Sequence, residues 1–293
     1  FNRVISMTYE PGSVFKVLTM AAALDFGAVT PDTIFNDTGS ITIGGETIYN
    51  WDRGAWGPQT MLGCMQHSLN VCLTWVAMQL EADNFYRYLQ EFGVGRQTGV
   101  DLAGEAPGLL RLPGDLYWYE AELGFNSFGQ GLTVTPVQML AAISSVANLR
   151  GEMMLPHLVR STVRNGTQYT PSPVVMGRPI SAETAQTLTE MLAISIEKES
   201  SVAAVEGYRI AGKTGTAEVP VPGGYSDILT NASFVGWGPV DNPRFLIYVM
   251  LEHPETSPWG SVVAAPVFSD VFARLAILDD LPPDDVRLSL SNP

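Results

Sequence analysis

The eight residues Tyr9-Glu10-Pro11-Gly12-Ser13-Val14-Phe15-Lys16 constrain the fold more than any other stretch. Pro11-Gly12 breaks the chain, and an apolar run over residues 14–24 follows, ending at Gly27. This pattern predicts a turn that delivers Ser13 to the start of a buried helix closed by a glycine. Lys16 then lies about 4.5 Å along the axis, with its side chain on the same face as Ser13. The pair has an ordinary explanation, in which Ser13 caps the helix and Lys16 snorkels to solvent. Lysine usage weighs against it. The chain holds only Lys16, Lys198 and Lys213 beside thirteen arginines, so a compact, titratable amine is kept for a reason.

At 293 residues the chain can bury a substantial core, as one large domain or two intergrown lobes. Apolar content of 46% with 16% charged residues describes a globular chain, not a disordered one. A net charge of −14 argues against nucleic acid or an anionic membrane surface as partner. No uninterrupted apolar stretch approaches the roughly 18 residues of a membrane span, and no signal peptide is visible. The chain opens Phe1-Asn2-Arg3 and reads as a fragment or processed product. Cys64 and Cys72 would be about 12 Å apart on one straight helix, too far to bridge, although a loop between them removes that objection. Two buried thiols are the favoured expectation. His67, His157 and His253 are scattered without ligand spacing, which argues against a metal site.

Residues 1–8 read as an extended lead-in, and 30–56 as a loop with short strand patches such as 40–43. Helical pieces fall at 60–66, 71–80 and 84–92, with a Gly/Pro-rich connection over 95–113. Thr135-Pro136 reads as an N-cap and first helical residue, starting a helix to Asn148. A small hairpin is expected across Asn165-Gly166, and Ser181 caps a long helix over 182–199. Residues 209–219, 232–240 and 245–253 are β-prone, the last two joined across Asp241-Asn242-Pro243. A helix near 264–278 precedes an acidic, proline-rich tail, 279–293. Helices, then neighbouring strands, then a closing helix make an α+β pattern.

Two further stretches carry chemistry. Ser68-Leu69-Asn70 falls at a helix break, where its polar side chains can face a cleft; Ser and Asn also suit a plain junction. Lys213-Thr214-Gly215-Thr216 lies in a β-prone run. Its glycine permits close backbone approach, whereas the bland alternative is an edge strand guarded by a lysine. Each motif is weak alone, but the ordered triple Ser-x-x-Lys, Ser-x-Asn, Lys-Thr-Gly-Thr is specific.

The triple resembles the penicillin-binding transpeptidases, specifically their class B group. Further matches are Asn2-Arg3, Tyr9 to Gly12, Asn50-Trp51, Gly99-Val100-Asp101-Leu102-Ala103-Gly104-Glu105, Gly129 to Pro136, and Ile210 to Gly212 with Ala217-Glu218 around the third motif. The resemblance covers the chain to about Leu278. It implies a β-lactamase/transpeptidase-like α+β fold, an antiparallel sheet packed with a helical subdomain. It also implies a serine acyl-enzyme formed on D-alanyl-D-alanine stem peptides of peptidoglycan, with β-lactams as covalent inhibitors and no metal or organic cofactor. In that scheme Ser13 is the nucleophile and Lys16 its base, kept neutral by desolvation and by Lys213. Backbone N–H groups of Ser13 and Thr216 form the oxyanion hole. Ser68 relays a proton and Asn70 holds the substrate amide, while Lys213, Thr214 and Thr216, beside Gly215, bind the terminal carboxylate. The Ser13 hydroxyl, Lys16 amine and Ser68 hydroxyl are then expected within hydrogen-bond reach or slightly beyond, with Lys213 on the facing strand. Trp51 and Trp259 either line the cleft or simply pack, and Asp101 and Glu105 read as structural.

A serine β-lactamase and a non-enzymatic β-lactam sensor are the rivals. A class A hydrolase needs an added carboxylate to activate water, and between Asn148 and Ser181 only Glu152 is acidic. A class D hydrolase would carry Val in place of Asn70. In class B members a membrane anchor and a pedestal domain precede this region, placing the intact protein on the extracytoplasmic face of the bacterial inner membrane. The family's sheet has five strands, two of them before the nucleophile. Twelve residues are too few for those two, so the sheet is expected mainly from the three β-prone runs. Residues 245–251 would then form an open, aggregation-prone edge, leaving the chain poorly stable alone and rescued by upstream extension.

Overall fold

Eight successive side chains, Lys16 to Ala23, are buried in one helix, so that helix must be enclosed on every side. The fold is built around it. The computed structural model describes residues 1–199, 201–221 and 224–291. α1 (Arg3–Ser6), a single 3-10 turn (Gly12–Phe15) and α2 (Lys16–Phe26) open the chain. β1 (Ile34–Asp37), β2 (Ser40–Ile43), β3 (Glu46–Tyr49) and β4 (Gly57–Thr60) form two antiparallel ribbons, β1 with β4 and β2 with β3. Five helices follow: α3 (Met61–Gln66), α4 (Asn70–Leu80), α5 (Ala82–Glu91), α6 (Ala121–Asn126) and α7 (Pro136–Ala147). β5 (Met153–Met154) pairs with β8 (Val175–Gly177), and β6 (Thr162–Arg164) with β7 (Thr167–Tyr169) across Asn165-Gly166. α8 (Ala182–Glu199) leads to the main sheet of β9 (Ala211–Val221), β10 (Gly224–Gly238) and β11 (Phe245–Glu252). α9 (Gly260–Val263), α10 (Ala265–Leu278) and α11 (Asp284–Ser291) close the chain.

The sheet is antiparallel in the order β11-β10-β9, built from the three expected runs. Its faces alternate with period two. Ala211, Val235 and Trp237 join the core shared with α2 and α8, whereas Phe234 packs against Phe268 and Phe272 of α10. The molecule is therefore layered as helices, sheet and helix. α9 and α10 together run 19 residues and are apolar enough in length and composition to cross a bilayer. Burial of Phe268 and Phe272 against the sheet makes them its cover. Among the described residues no strand pairs with the outer edge of β11.

Several expectations need correction. Residues 3–6 form a helical turn instead of an extended lead-in, because the Asn2 side chain accepts from Val4 N and caps it. Cys64 and Cys72 are a disulfide, not two thiols, with Cα atoms 6.1 Å apart. The straight-helix geometry fails because α3 ends before residue 67 and α4 starts afresh at 70, folding the second cysteine back onto the first. The acidic tail contains α11, anchored by Asp284, which accepts from Arg209 N and pairs with Arg287; Arg287 also bonds Asp241. Residues 121–126, unassigned in the sequence, form α6. Elsewhere the local signals hold: Thr135 and Gln138 make a full capping box, and Ser181 Oγ accepts from Thr184 N at 3.1 Å.

Candidate active site

Gly12 sits at φ +59°, where a Cβ would come within 2.8 Å of the Ala217 side chain on β9. Only glycine lets the nucleophile turn touch the strand here. In the 3-10 turn that follows, residues three apart are eclipsed, so Ser13 and Lys16 share a face. Gly215 answers from the strand. A Cβ there would meet Val14 Cγ1 at 2.9 Å and Ser233 Oγ at 2.3 Å. On a strand Lys213 shares a face with Gly215, so its side chain points toward α2 and the serine turn. Thr214 and Thr216 lie on the other face, both half-buried at the sheet edge.

The second motif occupies the break between α3 and α4. Ser68 has φ +54°, a left-handed conformation that a non-glycine residue holds only when its surroundings impose it. The surroundings are the Cys64–Cys72 bridge, which encloses the break, and a bond from Leu69 N to Cys64 O at 3.0 Å. Asn50 finishes the frame. Its side chain accepts from Val71 N at 3.2 Å, capping α4, and donates to Asp37 Oδ2 at 2.6 Å.

These elements converge on one polar cluster. Lys16 Nζ donates to Ser68 O at 2.6 Å, Asn70 Oδ1 at 2.7 Å and Ser68 Oγ at 3.2 Å. Lys213 Nζ donates to Ser68 Oγ at 3.0 Å and Thr214 O at 3.1 Å. The Ser68 hydroxyl thus stands between two amines. Both lysines are buried. Burial, then the nearby charge of Lys213, holds the Lys16 amine well below its usual 10.5. Ser13 is half-buried, and its hydroxyl makes no hydrogen bond among the described residues. The amine of Lys16 is drawn instead toward the second motif. Lys16, Ser68, Asn70, Lys213 and Thr214 are therefore in direct contact, with Ser13 one helical turn from Lys16 and Thr216 two residues along the strand. Such an arrangement offers a hydroxyl beside a buried base, a hydroxyl bridging two amines, and a cationic strand edge lined by threonines. That is the equipment for acyl transfer at a substrate bearing a carboxylate.

Around the cluster, Trp51 donates from Nε1 to His67 O at 3.2 Å, and Gly260 N donates to Thr216 Oγ1 at 3.3 Å. Trp51 and Trp259 meet edge to face at 5.6 Å, both substantially exposed at the rim. Two supporting residues escaped the sequence reading of roles. Asn50 is one. Glu10 is the other: buried, it accepts from Gly131 N at 3.2 Å and from Tyr225 O–H at 3.0 Å, tying the serine turn to the loop over 129–131. Burial raises its carboxyl above 4.5. The only sequence signal for Glu10 was an acid directly before Pro-Gly in an apolar neighbourhood. Asp101 accepts from Leu158 N and Val159 N and so anchors the base of the β6–β7 hairpin; Glu105 accepts from Thr98 N and Gly99 N. Both are structural, as expected.

Comparison with known proteins gives one family. A model of the penicillin-binding protein transpeptidase domain matches residues 1–273. Stage V sporulation protein D of Bacillus subtilis is 35% identical over 276 residues, covering 92% of this chain and 42% of that protein. PbpB of Mycolicibacterium smegmatis is 36% identical over 295 residues, covering 96% and 45%. Among solved structures, penicillin-binding protein 3 of Mycobacterium tuberculosis complexed with aztreonam superposes with a TM-score of 0.87 at 31% identity, over 96% of this chain and 65% of that one. The TP domain of penicillin-binding protein 3 from Burkholderia pseudomallei gives 0.84 at 32%, over 97% and 83%. The chain spans less than half the length of these curated relatives.

Proposed function

The chain belongs to the penicillin-binding protein transpeptidase domain family, and on that premise we propose that it is a D,D-transpeptidase that cross-links peptidoglycan stem peptides through an acyl-enzyme on Ser13. The observation that carries the reading is the Ser68 hydroxyl held between Lys16 and Lys213 beside the serine turn. Lys16, neutral by burial, takes the Ser13 proton as the oxygen attacks the carbonyl of the penultimate D-alanine. A neutral amine has two N–H groups, which suffice for Ser68 O and Asn70 Oδ1; its contact with Ser68 Oγ is then a bond accepted by the lone pair from that hydroxyl, and the same lone pair takes the Ser13 proton. Backbone N–H groups of Ser13 and Thr216 stabilise the oxyanion. The proton passes through Ser68 to the leaving D-alanine amine, and the ester on Ser13 remains. An amine from a second stem peptide then attacks that ester, releasing Ser13. Lys213, Thr214 and Thr216 hold the terminal carboxylate, Gly215 keeps the strand close, and Asn70 orients the substrate amide. β-Lactams enter the same path and stop at the acyl-enzyme. In the whole protein this domain works outside the cytoplasmic membrane, where its substrate lies.

Turnover of a stem-peptide thioester ending in D-alanine, with and without an amine acceptor such as glycine, tests the assignment. The reading predicts thiol release together with an acyl–acceptor product whose share grows with acceptor concentration. Hydrolysis alone, indifferent to acceptor, would assign a hydrolase, and a single stoichiometric burst without turnover a sensor.

A further inference from the structure

Residues 111–122 expose an aromatic cluster that the transpeptidase chemistry does not use. Leu116 is 87% exposed, Tyr117 73% and Tyr119 53%. With Trp118, Arg111 and Glu122 they line a cavity of about 480 Å³, inside the roughly 300–1,000 Å³ of small-molecule sites. The back wall is fixed. Trp118 Nε1 donates to Tyr86 Oη at 2.9 Å, and Tyr86 donates to Asn126 Oδ1 at 3.0 Å. On the floor, Arg111 Nη1 pairs with Glu122 Oε1 at 2.9 Å. Glu122 is almost wholly buried, yet its Oε2 has no hydrogen-bond partner. A buried carboxylate oxygen without a donor is rare and calls for one.

The chemistry selects a ligand class. Arg111 and Glu122 neutralise one another, so the floor offers no net charge to a phosphate, a carboxylate or a cation. What it offers is a guanidinium with spare N–H groups and aromatic faces, while the unpaired Glu122 oxygen lies sealed beneath them. A polyhydroxylated ring meets both, with C–H faces on the aromatics and hydroxyls accepting from Arg111. The segment that leads into the cavity passes beside the serine turn. Tyr9 bridges Val134, and Leu109 bridges Thr133, so Leu109, two residues before Arg111, runs two strand spacings from Tyr9. That is about 10 Å.

We propose that this cavity is a sugar subsite, which takes a ring of the glycan strand bearing the stem peptide. The proposal rests on the transpeptidase reading above for the identity of the glycan. It is tested on the full chain with a β-1,4-linked N-acetylglucosamine tetramer, by calorimetry and by tryptophan fluorescence. Wild type should bind saturably. Tyr117→Ala/Tyr119→Ala, both exposed positions, should weaken binding at least tenfold with unchanged melting. Penicillin acylation of Ser13 should stay within twofold in the tyrosine variant. Absence of saturable binding by wild type, or equal affinity in the tyrosine variant, would overturn the proposal. Sugar binding that persists while wild type resists penicillin would instead fault the transpeptidase reading and leave the sugar site standing.

Discussion

The bridge between Cys64 and Cys72 is the contact most directly tied to the geometry of the second motif, and its removal has a calculable cost. The two positions are eight residues apart, and the chain-entropy relation for a loop of that size gives about 2.5 kcal/mol at 25 °C. Both cysteines are fully buried, so Cys64→Ala/Cys72→Ala also vacates two sulfur sites, roughly another 1–2 kcal/mol. The double variant should therefore lose about 4 kcal/mol in urea titration, which for a chain of this length corresponds to roughly 6–7 °C in melting temperature. The effect should also be local. Ser68 needs its left-handed backbone to reach both amines, so acylation by penicillin should slow more than tenfold at a temperature where the variant is still folded. The assays are denaturant unfolding, thiol titration of denatured protein without reductant, and stopped-flow acylation. Two titrating thiols in the untreated wild type, or a stability loss under about 1 kcal/mol, would refute the reasoning.

Other perturbations probe the remaining supports. The acylation rate should rise with pH on a limb set by Lys16, well below 10.5, and Lys213→Ala should move that limb to higher pH because the repelling charge is gone; an unmoved limb would detach Lys213 from Lys16. The same depression means that the unfolded chain keeps the Lys16 proton to higher pH than the folded one. The stability due to this group therefore rises as pH climbs from the folded value toward 10.5, a slope that Lys16→Met should abolish in pH-dependent unfolding. Gly215→Ala forces a Cβ against Val14 and Ser233, costing about 1–3 kcal/mol and reducing acylation by displacing strand from turn; full activity would show that the approach is slack. Asn50→Ala removes the cap of α4 and a partner of buried Asp37, with an expected loss of about 1–3 kcal/mol in urea.

The sequence was legible where one local signal sufficed. Pro11-Gly12 announced the serine turn, Thr135-Pro136 the start of α7, Asn165-Gly166 the hairpin, and three β-prone runs the sheet. The motif lysines were legible because so few lysines compete with them. What stayed hidden depends on tertiary placement. The disulfide was missed because its feasibility turns on how sharply the chain folds between 66 and 70, which helix periodicity does not report. α1 is only four residues long and owes its form to one Asn2 cap. α6 was hidden because Glu122 looks like a surface residue until Arg111, eleven positions away, arrives to pair with it. Asn50 shows the same limit: nothing in its neighbours in sequence reveals that it caps a helix beginning twenty residues later.

The central claim, that Ser13 is the nucleophile served by Lys16, Ser68 and Lys213, is tested most directly by mass spectrometry after treatment with a penicillin. The wild-type chain should gain one penicilloyl mass, mapped to the peptide that carries Ser13, while folded Ser13→Ala gains none. An adduct on any other residue, or undiminished labelling of the alanine variant, would contradict it.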